Sequence, residues 1–221
     1  MKLSIMQPHY LPWLGYFYLI YKSKNFVFLD DVKFHYQSWQ HRNYIKGTSK
    51  PNLLTIPVGK NAKKLEIIDV KINNNSFREK HIKSIYQEYC KTDYFYQFFP
   101  ILEKMISFET DSLNIFNQNI IKKITEINKI EANFFKSSEI YVDGSKQKKI
   151  LNICKKLKVK NYISAPGSKK YINEKNFIES KINLSFIDYN NIKNKKLKNL
   201  VNLSVVDFIF NNGFNLKRIY T

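Results

Sequence analysis

The sequence predicts an α/β fold: a Rossmann-like parallel sheet with a mainly helical insertion around residues 76–135, in one domain over 1–221. Three observations predict it. The opening reads strand, loop, helix, strand. The stretch from Ser76 to about Phe135 switches to helical periodicity, and beyond residue 145 strand and helix patterns alternate again.

Residues 2–6 (KLSIM) form a short apolar run closed by Gln7-Pro8, a buried first strand opening into a loop. Pro12 suits the first turn of a helix reaching Tyr21. Phe26 to Leu29 is a second strand, ended by Asp30-Asp31. Together they make the βαβ unit of a parallel sheet with a right-handed crossover. Residues 52–58 (NLLTIPV) and 65–72 (LEIIDVKI) read as further strands, less regular than the first two. In the helical section, Ile82, Ile85, Tyr86 and Tyr89 recur on one face, then Leu113, Ile120, Ile121, Ile124 and Ile127. Ser76 or Asn75 suits a cap of the first of these helices, and Asp111 or Thr110 a later one. Residues 145–157 then read as helix, VKNYISAPG as strand and loop, 168–180 as helical, INLSFIDY as strand and 203–211 as a last helix.

Composition narrows the function classes. With 43% hydrophobic and 15% aromatic residues the chain can bury a core, which excludes a disordered or collagen-like protein. Cys90 and Cys154 match no zinc or redox spacing and read as free thiols. The 37 basic against 18 acidic residues give a net charge of +19. Only three of the basic residues are arginine (Arg42, Arg78, Arg218), the residue that grips base edges and phosphates in a planar fork. Lysine, asparagine and isoleucine are the residues of AT-rich codons, so the charge favours an anionic small molecule over a nucleic-acid partner. The apolar stretch from Pro12 to Tyr21 is about half a bilayer span, so neither a signal peptide nor a membrane span is read, and a cytoplasmic location is expected.

Ligands of open parallel sheets bind beyond the carboxyl ends of the strands. Three polar loops follow apolar runs: Gln7-Pro8-His9-Tyr10; Asp30-Asp31 continuing through Lys33, His35, Trp39, Arg42 and Asn43; and Ser164-Ala165-Pro166-Gly167-Ser168-Lys169-Lys170-Tyr171. Arg42, scarce in kind and beside Trp39, suits a carboxylate or phosphate. The third loop suits a phosphate cradled by backbone amides with Lys169 or Lys170 beside it. His9, Asp30, Asp31, His35 and His41 lie close in sequence, but no pair has a zinc-motif spacing, and no metal site is assigned.

Six segments in order carry a resemblance: IMQPHYLPWLGYFYLI, FVFLDDVKF, WQHRNYI, LTIPV, YISAPGSKKYI and LSVVDFIFNNG. They look like the successive signatures of the WbqC-like family, whose members occur among genes for bacterial O-antigen and other surface polysaccharides. Carried over by position, the motif residues are Gln7, Pro8, Tyr10, Pro12, Gly15, Tyr16, Asp30, Asp31, Trp39, Arg42 and Asn43, then Ser164, Tyr171, Ser204, Asp207 and Gly213. This chain departs from the family pattern in having Ala165 where glycine is expected, with Gly167 two residues on, and in its lysine–asparagine run before LSVVDFIF. A looser similarity is to nucleotidylyltransferase-type, HUP-like folds, although Trp13 and Tyr16 stand where their loop histidines would be.

The resemblance implies an enzyme attaching an acyl or aminoacyl, glycyl-type group to the amine of a nucleotide-linked aminosugar. On that expectation Asp31 is the base, with His9 or His35 as substitutes. Arg42 and Lys169 hold anionic groups, Trp39 and Tyr10 flank a ring, and Gln7, Asp30, Asn43, Ser164, Ser168, Tyr171 and Asp207 complete the substrate site. No tightly bound cofactor is expected; the activated donor is an acyl-CoA, an aminoacyl-tRNA, or ATP plus an amino acid. Nucleic acid is a partner only if tRNA is the donor. The rival readings are an ATP-dependent acyl-adenylate-forming ligase, and a non-catalytic assembly partner of glycosyltransferases.

Overall fold

The computed structural model describes residues 1–189 and 203–217; the basic stretch at 193–199 lies outside them. A five-stranded sheet carries the fold. Its strands are β1 (Lys2–Met6), β2 (Asn25–Phe28), β5 (Asn133–Lys136), β6 (Asn161–Ser164) and β7 (Asn183–Phe186), in the spatial order β5-β2-β1-β6-β7. All four pairings are parallel. The chain therefore moves outward from β1 to β2 and β5, then returns to lay β6 against the other side of β1. That reversal opens a crevice at the carboxyl ends of β1 and β6, where sheets of this kind take ligands.

The strands are short, and most of their inner residues are apolar, as burial between helices requires. Phe26, Val27 and Phe28 are wholly buried. Helix α1 (Leu14–Ser23) crosses from β1 to β2 and is buried nearly all round. It admits the Trp13 indole against Gly15; a methyl group at that position would collide with the ring. Lys24 ends the helix in the left-handed conformation, returning its amide to the Ile20 carbonyl. At the amino ends of the strands an asparagine ladder ties neighbours together: Asn133 donates to Asn25, Asn25 to the Lys2 carbonyl, and Asn183 to Asn161.

Between β2 and β5 the chain departs from the sequence expectation twice. Residues 52–58 and 65–72 do not join the main sheet. Asn52–Thr55 is β4, paired antiparallel with β3 (Arg42–Ile45) in a separate two-stranded sheet. Residues 65–72 form a one-turn 3₁₀ helix at Ile67–Asp69, flanked by single bridges from Glu66 to Lys33 and from Lys71 to Ser112. Three helices follow: α2 (Phe77–Tyr89), α3 (Phe95–Ile106) and α4 (Leu113–Ile127). Ser112 caps α4, rather than Asp111 or Thr110, by accepting the Ile115 amide. The helical section ends before 133–136, which is the edge strand β5.

Helix α5 (Lys146–Lys156) leads to β6. The stretch expected to be helical at 168–180 divides into a 3₁₀ turn at Pro166–Lys170 and a six-residue α6 (Glu174–Glu179). After β7, the last described helix is α7 (Val205–Asn212), capped by Ser204 and stopped at Gly213 with φ +72°. The larger hydrophobic core joins α1 and β2 to α2–α4 and α7; the smaller lies between the other face of the sheet and α5 and α6.

Candidate functional site

Beyond the carboxyl ends of the strands lies a cleft of about 640 Å³. Four strand ends or the segments after them line it. Gln7 follows β1; Leu29, Asp31, Val32, Lys33 and His35 follow β2; Gly144, Ser145, Lys146, Lys149 and Ile150 surround the start of α5; Tyr171 follows the turn after β6. Glu66, bridged to Lys33, also lines it. Apolar strand residues give way to polar ones here because the backbone leaves the sheet and its groups meet solvent.

An ion pair forms part of the wall. Lys149 Nζ is 2.7 Å from Asp31 Oδ2, with side chains only 9% and 18% exposed, and donates to the Asp31 carbonyl at 2.9 Å. The Ser137 hydroxyl donates to Asp31 Oδ1 and lies 3.2 Å from Asp30 Oδ1, having one proton for both. Asp30 is wholly buried and does not line the cleft. Its oxygens take the Ser138 amide and hydroxyl at 3.0 and 3.1 Å and Asn114 at 3.1 Å, with Gln118 at 3.4 Å. The expected aspartate pair thus splits in use: Asp30 anchors the end of β2 to β5 and α4, and Asp31 faces the cavity.

Gln7 is oriented from behind, its Oε1 accepting from Gln40 at 2.9 Å. Gln40 is wholly buried and also accepts the His35 amide at 2.9 Å. The loops after β1 and β2 are further fastened by the Tyr10 amide on the Trp39 carbonyl at 2.9 Å, and by Asn117 of α4 on the Pro8 and Gln40 carbonyls. The floor is therefore a rigid, internally hydrogen-bonded platform, while the His35 side chain is exposed on it.

The structure brings together Gln7, Asp31, Lys33, His35 and Tyr171 of the residues singled out in the sequence; the others lie outside the cleft lining. His9 keeps an accessible edge, but its ring sits in dense protein 5.4 Å from that of Tyr16, and desolvation lowers its pKa to about 4. Tyr10 is buried with its hydroxyl 2.8 Å from His81 Nδ1, and burial raises its pKa. Asn43 is buried, donating to the Tyr10 and Leu11 carbonyls. Trp39, 46% exposed, stands edge-on to Tyr44, and Arg42 lies on β3 opposite Thr55. Ser164 and Ser168 bond to each other at 2.7 Å, and Lys169 Nζ sits 5.0 Å above the Phe186 ring. Asp207 is buried at the first turn of α7, accepting from Tyr89 at 3.0 Å, with its pKa raised by desolvation.

Sequence reasoning missed the start of α5 as a contributor. Its signal was present in Asp143-Gly144-Ser145 before a helical run, but it becomes a strand-end loop only once β5 is recognised. Among the described residues no three His, Cys, Asp or Glu side chains gather as metal ligands, and no helix is long and apolar enough to cross a membrane.

Fold and cleft define a Rossmann-like α/β protein with a polar crevice at the reversal of strand order. The chain belongs to the WbqC-like protein family, whose model matches residues 7–219. It is 25% identical over 217 residues to a protein of Mycobacterium tuberculosis named "Uncharacterized protein Rv1507c", an alignment spanning 96% of this chain and 94% of that one. No solved structure matches it.

Proposed function

We propose that the protein is an enzyme of bacterial surface-polysaccharide assembly that binds a nucleotide-linked aminosugar in the strand-end cleft and acylates its amine. The observation that carries this reading is the lining of the cleft: the side chains of Lys33, Lys146 and Lys149 share one cavity with His35 and Asp31. Lysines suit a diphosphate, and an imidazole or carboxylate suits the proton that an attacking ammonium must lose.

In the step, the free amine attacks the acyl carbon of the donor and a C–N bond forms. The bond from that carbon to the leaving group breaks: a thioester C–S bond for an acyl-CoA, or an ester C–O bond for an aminoacyl-tRNA. One amine proton passes to the base, and the leaving thiolate or alkoxide takes up a proton. Asp31 already accepts from Lys149 and Ser137, so its part is to fix the ammonium of Lys149, and His35 takes the base role. Gln7 Nε2 and Lys149 suit the oxyanion of the tetrahedral intermediate.

A thermal-shift panel tests the reading, with UDP- and dTDP-aminosugars, ATP, acyl-CoAs and amino acids. A nucleotide-aminosugar at a hundredfold excess over its Kd raises the midpoint by about 5 °C or more. A shift with ATP alone instead supports an acyl-adenylate-forming ligase. No shift with any nucleotide, from folded protein, overturns both and leaves a binding partner of glycosyltransferases.

A further inference from the structure

The loop that carries His35 is held from inside by a second histidine. His41 is 4% exposed, and both of its ring nitrogens are engaged: Nε2 takes the Gln37 amide at 3.2 Å, and Nδ1 lies 3.0 Å from the Ile56 carbonyl. A backbone amide can only donate, so Nε2 is the bare nitrogen and Nδ1 carries the proton that Ile56 accepts. These two bonds fix the ring as the neutral Nδ1–H tautomer. The backbone joins the same strands, with the Ile56 amide on the His41 carbonyl at 2.8 Å.

Gln37 is where the loop depends on that ring. Its φ of +60° is left-handed, a conformation that a residue with a Cβ keeps only when neighbouring bonds hold it. The turn around it is tied to itself and to the cleft. The His35 amide donates to Gln40 Oε1 at 2.9 Å, the Ser38 hydroxyl to the His35 carbonyl at 2.6 Å, and Gln40 Nε2 to Gln7 Oε1 at 2.9 Å. The turn pinned by His41 thus sets two residues of the cleft lining, His35 and Gln7. A proton on Nε2 would meet the Gln37 N–H donor against donor, in a ring packed against Phe34 and Tyr36. The charge acting on the ring is that of Arg42, of the same sign, and the Tyr36 hydroxyl is spent on the Val58 carbonyl at 3.2 Å. Desolvation lowers the His41 pKa from 6.5, with the Ile56 carbonyl opposing and Arg42 adding to the fall.

We propose that His41 is the positioning residue of the cleft: as neutral imidazole it latches the turn at 35–40 so that His35 and Gln7 stand in the cleft wall, and on protonation it lets the turn go. That His35 is the base rests on the reading above; the latch itself rests on the hydrogen bonds. The latched form has the lower pKa, so the latch is complete above pH 6.5. It is lost as the pH falls, about tenfold per pH unit until the lowered value is reached. Acid therefore disarms the site at a residue that never touches the ligand.

NMR of the ¹⁵N-labelled full chain tests it without any ligand. Long-range imidazole correlations at neutral pH should show His41 as the Nδ1–H tautomer. Below pH 6.5, hydrogen exchange at Gln37, relative to its intrinsic rate, should speed about tenfold per pH unit, in step with a shift of the Gln7 side-chain amide. It should remain far faster than exchange in β1, whose amides wait for global unfolding. His41→Gln keeps an acceptor for the Gln37 amide and takes up no proton, so its Gln37 exchange should lose that pH dependence. An Nε2–H tautomer, or Gln37 exchange that follows the intrinsic rate alone through this range, overturns the latch; both are read on wild-type protein, whether or not the variant folds. The same pH dependence in a folded His41→Gln overturns it too. If the latch behaves as expected and no nucleotide-sugar binds, the substrate reading falls and the latch stands.

Discussion

Lys149 Nζ lies 2.7 Å from Asp31 Oδ2 and donates at 2.9 Å to the backbone carbonyl of the same aspartate, so one ammonium clamps both ends of a single residue. The clamp joins α5 to the end of β2, elements more than a hundred residues apart, and Ser137 holds the second carboxylate oxygen from the end of β5. Two strand ends and the first turn of α5 are thus gathered around one side chain of the cleft.

Removing only the cation should therefore be worse than removing the pair. Lys149→Met leaves the Asp31 carboxylate without its partner in a mostly buried setting and is expected to cost about 3 kcal/mol. The double variant Asp31→Asn, Lys149→Met is expected to recover most of that loss, because no unpaired charge remains. Urea unfolding of the two variants against wild type checks it; equal losses would show that the pair is not what couples these elements.

Acid should weaken the fold through His81. Its Nδ1 lies 2.8 Å from the Tyr10 hydroxyl, and burial lowers its pKa to about 4. The unfolded chain takes up the proton near pH 6.5, whereas the folded one resists until about 4. The folded pKa being the lower, the stabilisation is complete above pH 6.5 and is lost as the pH falls towards 4, at about 1 kcal/mol per pH unit. His81→Gln removes that proton uptake, so its unfolding midpoint should fall less steeply than wild type across this window.

Asp207 works in the opposite sense. Burial raises its pKa, so its contribution is fully present below the ordinary carboxylate range and is lost as the pH rises through the raised value. Asp207→Asn keeps an acceptor for Tyr89 and removes the cost of ionising. The variant should match wild type at pH 4 and exceed it at pH 7; denaturant titrations at the two pH values decide this.

The thiols should separate cleanly. Cys154 is fully buried, and desolvation pushes its pKa up to about 12, whereas Cys90 is half-buried at the end of α2. A thiol reagent near neutral pH should label at most one cysteine in the native protein and both after unfolding. Fast labelling of Cys154 in the native state would contradict the packing of α5 against the sheet.

The opening β1-α1-β2 unit was legible because its strands are continuous apolar runs closed by polar turns, a pattern that only burial on both faces sustains. Strand β5 was not: Asn133–Lys136 is a half-buried edge of four residues, and Phe134 and Phe135 continue the apolar spacing of α4. Residues 65–72 misled because LEIIDVKI is apolar enough for a strand. The buried set is Ile67, Val70 and Ile72, with Leu65 and Ile68 exposed, which is the spacing of a turn lying on the core. In the site, Gln7, Asp31, His35 and Tyr171 were visible as polar residues at or beyond strand ends. Tyr10, Asn43 and Asp207 look equally polar in sequence but spend their hydrogen bonds inside the protein, a distinction that depends on partners far away in the chain.

The division of labour between His35 and Asp31 yields the sharpest functional test. The His35 side chain is exposed on the cleft and carries no bond that holds the fold; only its backbone is engaged, with Gln40 and Ser38. His35→Ala should therefore leave the melting midpoint unchanged and reduce amide formation by about a hundredfold or more, the usual loss for a general base, with nucleotide-sugar affinity retained. Asp31→Asn perturbs Lys149 instead and should weaken ligand binding as well as turnover. Measuring kcat and KM separately for the two variants distinguishes them: a kcat loss confined to Asp31→Asn would return the base role to the carboxylate, because then the proton leaves towards the clamp and not towards the open imidazole.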